Sequence, residues 1–244
     1  MYGFVESGTN TLEGVRGFLE RIERGIIIGL QMRADYRIDI DMYRPGLSKK
    51  PGFDGSEFER LFRELLFAQE RGLKIADELP FFPDQPPPRQ KPVQNRYPNG
   101  PSKINLNGRI MTEYIQTLPD FCVVGDDGGY VYAAAADASV LDLLSARIHR
   151  GGIWVADIKF SKDPYGYRRL LEKGDENAKD DVMHRITDIS QEGAVLARVF
   201  QKAEDLGCSK PDFVLSLYRN HVIPLTKEVQ FLRMREVVEK GVGV

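Results

Sequence analysis

Two carboxylates and one amine have the types and spacing of a metal-dependent hydrolytic site. Asp157 and Lys159 flank Ile158 in an apolar run at 153–160, and Pro119-Asp120 lies upstream. Residues two apart in a strand point the same way, so Asp157 and Lys159 are expected to share one face. Carboxylate oxygens that converge on one point can hold Mg²⁺ or Mn²⁺ and a water against a phosphodiester.

The hydrophobic pattern predicts strands as well as helices around these acids. Strands are predicted where apolar residues run together or alternate with polar ones, at 26–43, 121–136, 153–160 and 213–218. Helices are predicted where apolar residues recur every three or four positions, at 11–24, 56–72, 139–150, 165–173, 176–188, 191–206 and 226–240. The mixture predicts an α/β (α+β) fold, with a mixed central sheet flanked by helices.

The order of these elements resembles the PD-(D/E)XK nuclease superfamily, which has the restriction-endonuclease-like fold. An acid-bearing helix precedes a Pro-Asp strand, an acid-x-Lys strand and a helix, over roughly residues 56–175. The resemblance implies that Asp120 and Asp157 ligate Mg²⁺ (or Mn²⁺). It also implies that Lys159 orients or deprotonates the attacking water and that Glu57 lies at the edge of the site.

The long gap between Asp120 and Asp157 leaves the first metal ligand open. Asp126, Asp127 or Asp137 could take that place instead of Asp120. Gly125-Asp126-Asp127 is more simply a hairpin turn, because Gly and Asp tolerate the backbone angles of tight turns.

A second two-carboxylate constellation supports an alternative function. Asp39 and Asp41 alternate with apolar residues, which looks like the first catalytic motif of primase-like nucleotidyltransferases. Two acids on one strand face can hold the metals that align a nucleoside triphosphate. The Ser-x-His motif expected to follow is missing. A third alternative is a non-catalytic binding or assembly protein that docks through its Pro-rich segment at 80–101.

Composition narrows the class of protein. The chain has 244 residues, 42% of them hydrophobic, which suits a single domain over 1–244 with an extended Pro-rich loop or arm at 80–101. A net charge of −2 does not suit a non-specific DNA coat. Two cysteines form no disulfide framework or zinc spacing. An intracellular, cytoplasmic protein is expected, because no apolar run suits a membrane span or a signal peptide.

These features together predict a magnesium-dependent DNA endonuclease, a metal-binding hydrolase. Basic residues on both sides of the acids are the expected contacts to the DNA backbone: Lys49, Lys50, Arg168 and Arg169. DNA is preferred over RNA as the nucleic-acid partner, no membrane is expected, and a homodimer is left open.

Overall fold

The computed structural model describes most of the chain, in residues 12–70, 81–82, 97, 99–172 and 178–241. The side chains of residues 12 and 66–70 are outside this description. Within these ranges the regular elements are helices, and the one β pairing is an isolated parallel bridge between Ile38 and Val124. The predicted α/β class with a central sheet is therefore wrong, because the fold is all-α. Most of 80–101 lies outside the described residues, so the Pro-rich arm and the single domain stay predictions.

Nine α-helices follow one another along the described part of the chain. They are α1 Leu12–Ala34, α2 Glu57–Glu70, α3 Asn107–Phe121, α4 Tyr130–Lys162, α5 Pro164–Glu172, α6 Ala178–Ile186, α7 Ile189–Asp205, α8 Pro211–Leu217 and α9 Ile223–Glu239. A 3₁₀ turn at Ile40–Tyr43 follows α1, and a π-helical turn at Tyr218–Val222 joins α8 to α9. No helix in the described residues is long and apolar enough to cross a membrane.

The 33-residue helix α4 is the centre of the fold. At 1.5 Å per residue it is about 50 Å long. Helices α1 and α9 pack along it, and α2, α3 and α5 also contact it. Because neighbours cover it on several sides, apolar residues are buried nearly all round it, including Ile153, Trp154, Ala156, Ile158 and Phe160.

This burial explains why 153–160 was wrongly predicted as a strand. A continuous apolar run is expected of a buried strand and of a buried helix alike, so periodicity cannot separate the two. The predicted hairpin at 121–136 is wrong as well. There α3 ends at Phe121, a loop turns through glycines with positive φ at Gly125 and Gly128, and α4 begins at Tyr130.

The predicted strand at 26–43 is wrong, because α1 continues to Ala34 and a 3₁₀ turn follows at Ile40–Tyr43. The glycines inside α1 do not end the helix but serve its packing against α4. A Cβ atom on Gly29 would lie 2.8 Å from Val140 Cγ2 of α4, and one on Gly25 would lie 3.1 Å from Leu143 Cδ1. Because glycine has no side chain, α1 can approach α4 closely at these two positions. The buried side chains of α1 keep a helical spacing through both glycines, at Val15, Phe18, Leu19, Ile22, Ile26, Ile27 and Leu30.

A buried carboxylate joins four elements on one side of the core. Asp137 of α4 accepts hydrogen bonds from Arg33 Nε at 2.8 Å, Tyr114 Oη at 2.7 Å and Tyr43 Oη at 2.6 Å. The Arg33 and Asp137 side chains are both fully buried. Asp137 therefore ties α1, α3 and the 3₁₀ turn to α4, and three hydrogen-bond donors surround this possible metal ligand of the sequence analysis.

We expect Asp137→Asn to lower the free energy of unfolding by about 3–5 kcal/mol, because it leaves the Arg33 charge buried without its partner. Urea unfolding followed by circular dichroism measures this loss. Asp180→Asn, on the exposed face of α6, is the matched control and should change stability little. Equal stability of the two variants would contradict a stabilising role for the buried pair.

A buried histidine holds the start of α3. The Leu106 N–H donates to His149 Nε2 at 2.9 Å, and His149 Nδ1 lies 2.9 Å from the Ser145 carbonyl oxygen. This pairing requires the proton on Nδ1 and a neutral ring. Burial lowers the pKa of His149 from 6.5 to about 4.

This lowered pKa predicts an acid-sensitive contribution to stability. The unfolded chain binds a proton near pH 6.5 and the folded chain only near pH 4, so stability from His149 is present above pH 6.5 and lost towards pH 4. The loss is at most about 3 kcal/mol. Urea unfolding across this range should show a smaller pH dependence for His149→Gln than for the unmodified chain. Parallel profiles would contradict a depressed pKa.

Candidate active site

A cavity of about 190 Å³ lies between α1, α4, α7 and α9. Its walls are side chains spaced three or four residues apart on each helix, which is the spacing of one helical face. The lining residues are Val15, Arg16, Leu19, Arg147, Gly151, Val155, Lys159, Ile186, Asp188, Gln191, Glu192, Val195, Arg198, Ile223, Thr226, Lys227 and Gln230.

The lining is rich in positive charge. Five cationic side chains, Arg16, Arg147, Lys159, Arg198 and Lys227, line it with only two carboxylates, Asp188 and Glu192. Glu192 is already paired with Lys227, at 3.1 Å. Clustered like charges in a partly enclosed space attract ligands of the opposite sign. The cavity therefore suits a small anion.

Arg147 is the strongest candidate for a direct anion contact. Its side chain is 6% exposed, and its Nε lies 3.9 Å from Glu23 Oε1, an ion-pair distance beyond hydrogen-bond length. Its Nε and Nη1 are buried, and neither has a hydrogen-bond partner in the described structure. Buried unpaired donors are unfavourable, and a ligand carboxylate would satisfy them with charge-assisted hydrogen bonds.

A buried glutamate behind the cavity holds the basic residues in place. Glu23 of α1 is fully buried. It accepts from Arg198 Nη2 at 2.8 Å, from Arg198 Nε at 3.2 Å and from Lys202 Nζ at 3.1 Å. Glu23 thus faces Arg147, Arg198 and Lys202, and Glu20 also pairs with Arg198 at 3.3 Å, so three cations beside the cavity face two carboxylates.

The first turns of α9 supply neutral polar groups. Gln230 is 6% exposed, and its Oε1 is buried without a hydrogen-bond partner in the described residues. Thr226 lies one turn earlier and donates from Oγ1 to the Val222 carbonyl at 2.6 Å. An amide at Gln230 can hydrogen-bond a ligand at any ordinary pH, since it does not ionise.

Two residues at the edge of the cavity are held by hydrogen bonds that a ligand could replace. Lys159 Nζ donates to the Ile186 carbonyl at 2.6 Å, and burial lowers the pKa of Lys159. Arg16 Nη2 donates to Gln191 Oε1 at 2.8 Å. Both cations therefore line the cavity, and within the described residues neither is hydrogen-bonded to a carboxylate.

The residues predicted to form a nuclease site do not lie on the predicted strands. Asp157 and Lys159 are on α4, where residues two apart project about 200° apart. Asp157 is buried and accepts from Arg233 Nε at 2.8 Å and Nη2 at 3.0 Å, which joins α4 to α9. Lys159 instead faces the cavity. It is therefore a predicted site residue that lies in the candidate site, but on a helix and away from Asp157.

The other two predicted catalytic acids lie in separate surroundings. Asp120 is exposed in the last turn of α3, and its carbonyl accepts from Lys210 Nζ at 2.9 Å. Glu57 begins α2 and pairs with Arg60, which with the Lys49 N–H helps to lower the pKa of Glu57 to about 2. No group of three or more His, Cys, Asp or Glu in the described residues could hold a metal ion.

The predicted DNA-binding residues lie on two separate elements, the loop before α2 and helix α5. Lys49 lies over the Tyr130 ring with Nζ 4.5 Å from its centroid, and Lys50 follows it in the loop before α2. Arg168 and Arg169 are on α5. None of the four lines the cavity.

The acids considered as alternatives have local structural partners. Asp39 caps the 3₁₀ turn by accepting from the Asp41 N–H at 3.0 Å, and Asp41 pairs with Arg44 at 2.8 Å on the surface. Asp126 accepts from Tyr130 Oη, and Asp127 from the Arg37 N–H at 2.7 Å. The strand geometry on which the primase-like alternative depended is absent from this segment.

The comparisons with known proteins agree with one another. The chain is 36% identical over 256 residues to chorismate mutase 1, chloroplastic, of Arabidopsis thaliana, covering 92% of this chain and 74% of that protein. The crystal structure of AtCM1 with tyrosine bound in its allosteric site matches with a TM-score of 0.78 and 36% identity, covering 96% of this chain and 98% of that one. The Aro7p chorismate mutase of Candida albicans, in complex with L-Trp, matches with a TM-score of 0.81 and 28% identity, over 95% and 93% of the two chains. No protein-family model matches.

These similarities correct the functional predictions. The resemblance to PD-(D/E)XK nucleases is wrong, and so are the DNA-hydrolysing, primase-like and non-catalytic hypotheses that accompanied it. The predicted Mg²⁺ or Mn²⁺ cofactor and the nucleic-acid partner are wrong for the same reason, since chorismate mutases need no metal and act on a small molecule. An acid-x-Lys triplet is short enough to occur by chance in a charged helix.

Proposed function

The chain belongs to the chorismate mutase family, and we propose that it converts chorismate into its isomer prephenate in the cavity between α1, α4, α7 and α9. The observation that carries this proposal is the Arg147 guanidinium, buried at the cavity wall with two unpaired donors. Chorismate is a small dicarboxylate, and this lining has the excess positive charge that such a substrate requires.

The reaction moves a group within one molecule. The bond between the ring carbon and the ether oxygen breaks while a carbon–carbon bond forms, so no nucleophile or proton transfer is required of the protein. The useful contributions are a compact bound conformer and stabilisation of negative charge as it develops on the ether oxygen. A cavity of about 190 Å³ lined by cations can supply both.

We assign the side chains by charge and position. Arg147 binds one carboxylate of chorismate. Arg16, which is hydrogen-bonded to Gln191 in this structure, turns to bind the other carboxylate. Lys159 and Gln230 donate to the ether oxygen, Lys159 after it leaves the Ile186 carbonyl. Glu192 accepts from the ring hydroxyl of chorismate while keeping its ion pair with Lys227.

The test is direct turnover of chorismate by the purified chain. We expect the ultraviolet absorbance of chorismate to fall at a rate proportional to protein concentration, and at the same rate with and without EDTA. A rate that depends on added Mg²⁺ would contradict the proposed chemistry, and no turnover across several preparations of folded protein would contradict the function itself.

We also propose regulation by aromatic amino acids, because solved relatives hold tyrosine, or L-Trp, in their structures. Turnover should respond to tyrosine, phenylalanine or tryptophan in the assay.

A homodimer stays a proposal, supported by apolar side chains that are more than half exposed: Val123, Val124, Val131 and Tyr132. The cytoplasmic location also stays a proposal, since the Arabidopsis relative is chloroplastic.

A further inference from the structure

Helix α4 carries two adjacent glycines in its second half, Gly151 and Gly152, and both are buried. Glycine inside a helix costs about 1 kcal/mol relative to alanine, so a consecutive pair needs a reason in packing or in the site. The two glycines meet different neighbours, which separates their roles.

Gly152 serves the contact between two helices. A Cβ atom there would lie 2.5 Å from Val229 Cγ1 and 3.0 Å from the Thr226 carbonyl oxygen of α9. Backbone atoms cannot move aside easily, so Gly152 is required for the close approach of α9 to α4.

Gly151 faces the cavity, between Arg147 and Val155 on the same stripe of α4. A Cβ atom there would lie 3.2 Å from Arg147 Nη1 and 3.0 Å from Leu19 Cδ2. Both neighbours are the far ends of side chains that line the cavity. The Arg147 guanidinium thus extends over bare helix backbone, in space that any other residue would fill.

We propose that Gly151 is a positioning residue for the substrate: it fixes the place of the Arg147 guanidinium and leaves room beside it for the substrate carboxylate. This inference rests on the proposed function, because it takes the cavity to be the dicarboxylate site. Alanine at 151 would displace Arg147 and Leu19 by a few tenths of an ångström without touching backbone.

The test compares Gly151→Ala with Gly193→Ala, a helical control on α7 where an added Cβ meets nothing within 4 Å. We expect Gly151→Ala to raise KM for chorismate about tenfold and to change kcat by less than about twofold. The reason is that Arg147 binds the carboxylate equally well in the substrate and in the transition state. Its dissociation constant for isophthalate, an unreactive dicarboxylate probe, should rise by a similar factor in calorimetry. Its melting temperature should not fall, and Gly193→Ala should leave KM unchanged.

Two outcomes would overturn the role of Gly151. One is an unchanged KM in Gly151→Ala, and the other is a crystal structure of that variant with the Arg147 guanidinium unmoved. Failure of the unmodified chain to turn over chorismate contradicts the proposed function instead. The variant's crystal structure still decides the positioning of Arg147 in that case.

Discussion

Replacement of Arg147 by alanine will lower kcat/KM for chorismate by about thirtyfold to five-thousandfold. Removing one partner of a buried, hydrogen-bonded charge pair costs about 2–5 kcal/mol, and each 1.36 kcal/mol corresponds to a tenfold change in rate. Arg147 offers two buried donors that no described residue satisfies, so a substrate carboxylate takes its full charge-assisted interaction.

The fold should survive this substitution, because Glu23 keeps Arg198 and Lys202 as closer partners. Arg147→Lys should be intermediate, since lysine keeps the charge and loses the forked geometry of the guanidinium. Arg169→Ala, on the exposed face of α5, is the matched control and should keep full activity. Steady-state kinetics with circular dichroism on each variant measures the effect. Arg147→Ala with a normal kcat/KM would remove the main support for this cavity as the site.

Replacement of Gln230 by glutamate will make activity depend on pH. Burial at this position favours the neutral form of a carboxyl group and so raises its pKa, while the cations that line the cavity act in the opposite direction, and we expect burial to dominate. Below that pKa the neutral acid can donate a hydrogen bond as the amide does. Above it, a carboxylate would face the developing negative charge, so kcat/KM should fall about tenfold per pH unit as pH rises.

The unmodified chain should lack this limb of the profile, since the Gln230 amide does not ionise. Initial rates between about pH 5 and 8 compare the two proteins in the range where a buried carboxyl titrates. Gln116→Glu, at an exposed position of α3, is the matched control and should follow the unmodified profile. If Gln230→Glu had the same pH dependence as the control, Gln230 would not act at the reacting bond.

Helices with one buried face were predictable from the sequence, whereas only residues 139–150 of the buried central helix were predicted to be helical. The helices that begin near 11 and 56 and the one that ends near 240 follow from apolar residues at helical spacing. The secondary structure of 153–160 was predicted wrongly because α4 is covered on several sides, so its apolar residues do not form a single stripe. The helix predicted at 11–24 continues through Gly25 to Ala34, because a glycine can permit a close helix contact as well as end a helix, and Gly25 lies against Leu143.

The prediction of the site residues also depended on whether the segment around Asp157 is a strand or a helix. In a strand, Asp157 and Lys159 share a face, whereas on α4 Asp157 pairs with Arg233 and Lys159 reaches the cavity. A helical interpretation of 147–159 would have placed Arg147 and Lys159 on one stripe, which is the signal that the sequence contained. The place of Gln230 beside the cavity could not be predicted, because the helices that line the cavity come together only through tertiary packing.

The identity of the product tests the central claim most directly. Proton NMR of chorismate incubated with the purified chain in EDTA should show conversion into prephenate, an isomer, with no free pyruvate. The same sample with Arg147→Ala should retain nearly all of its chorismate over the same time. Unchanged chorismate with the unmodified chain, or its cleavage into an aromatic acid and pyruvate, would contradict the assignment of this cavity to an intramolecular rearrangement.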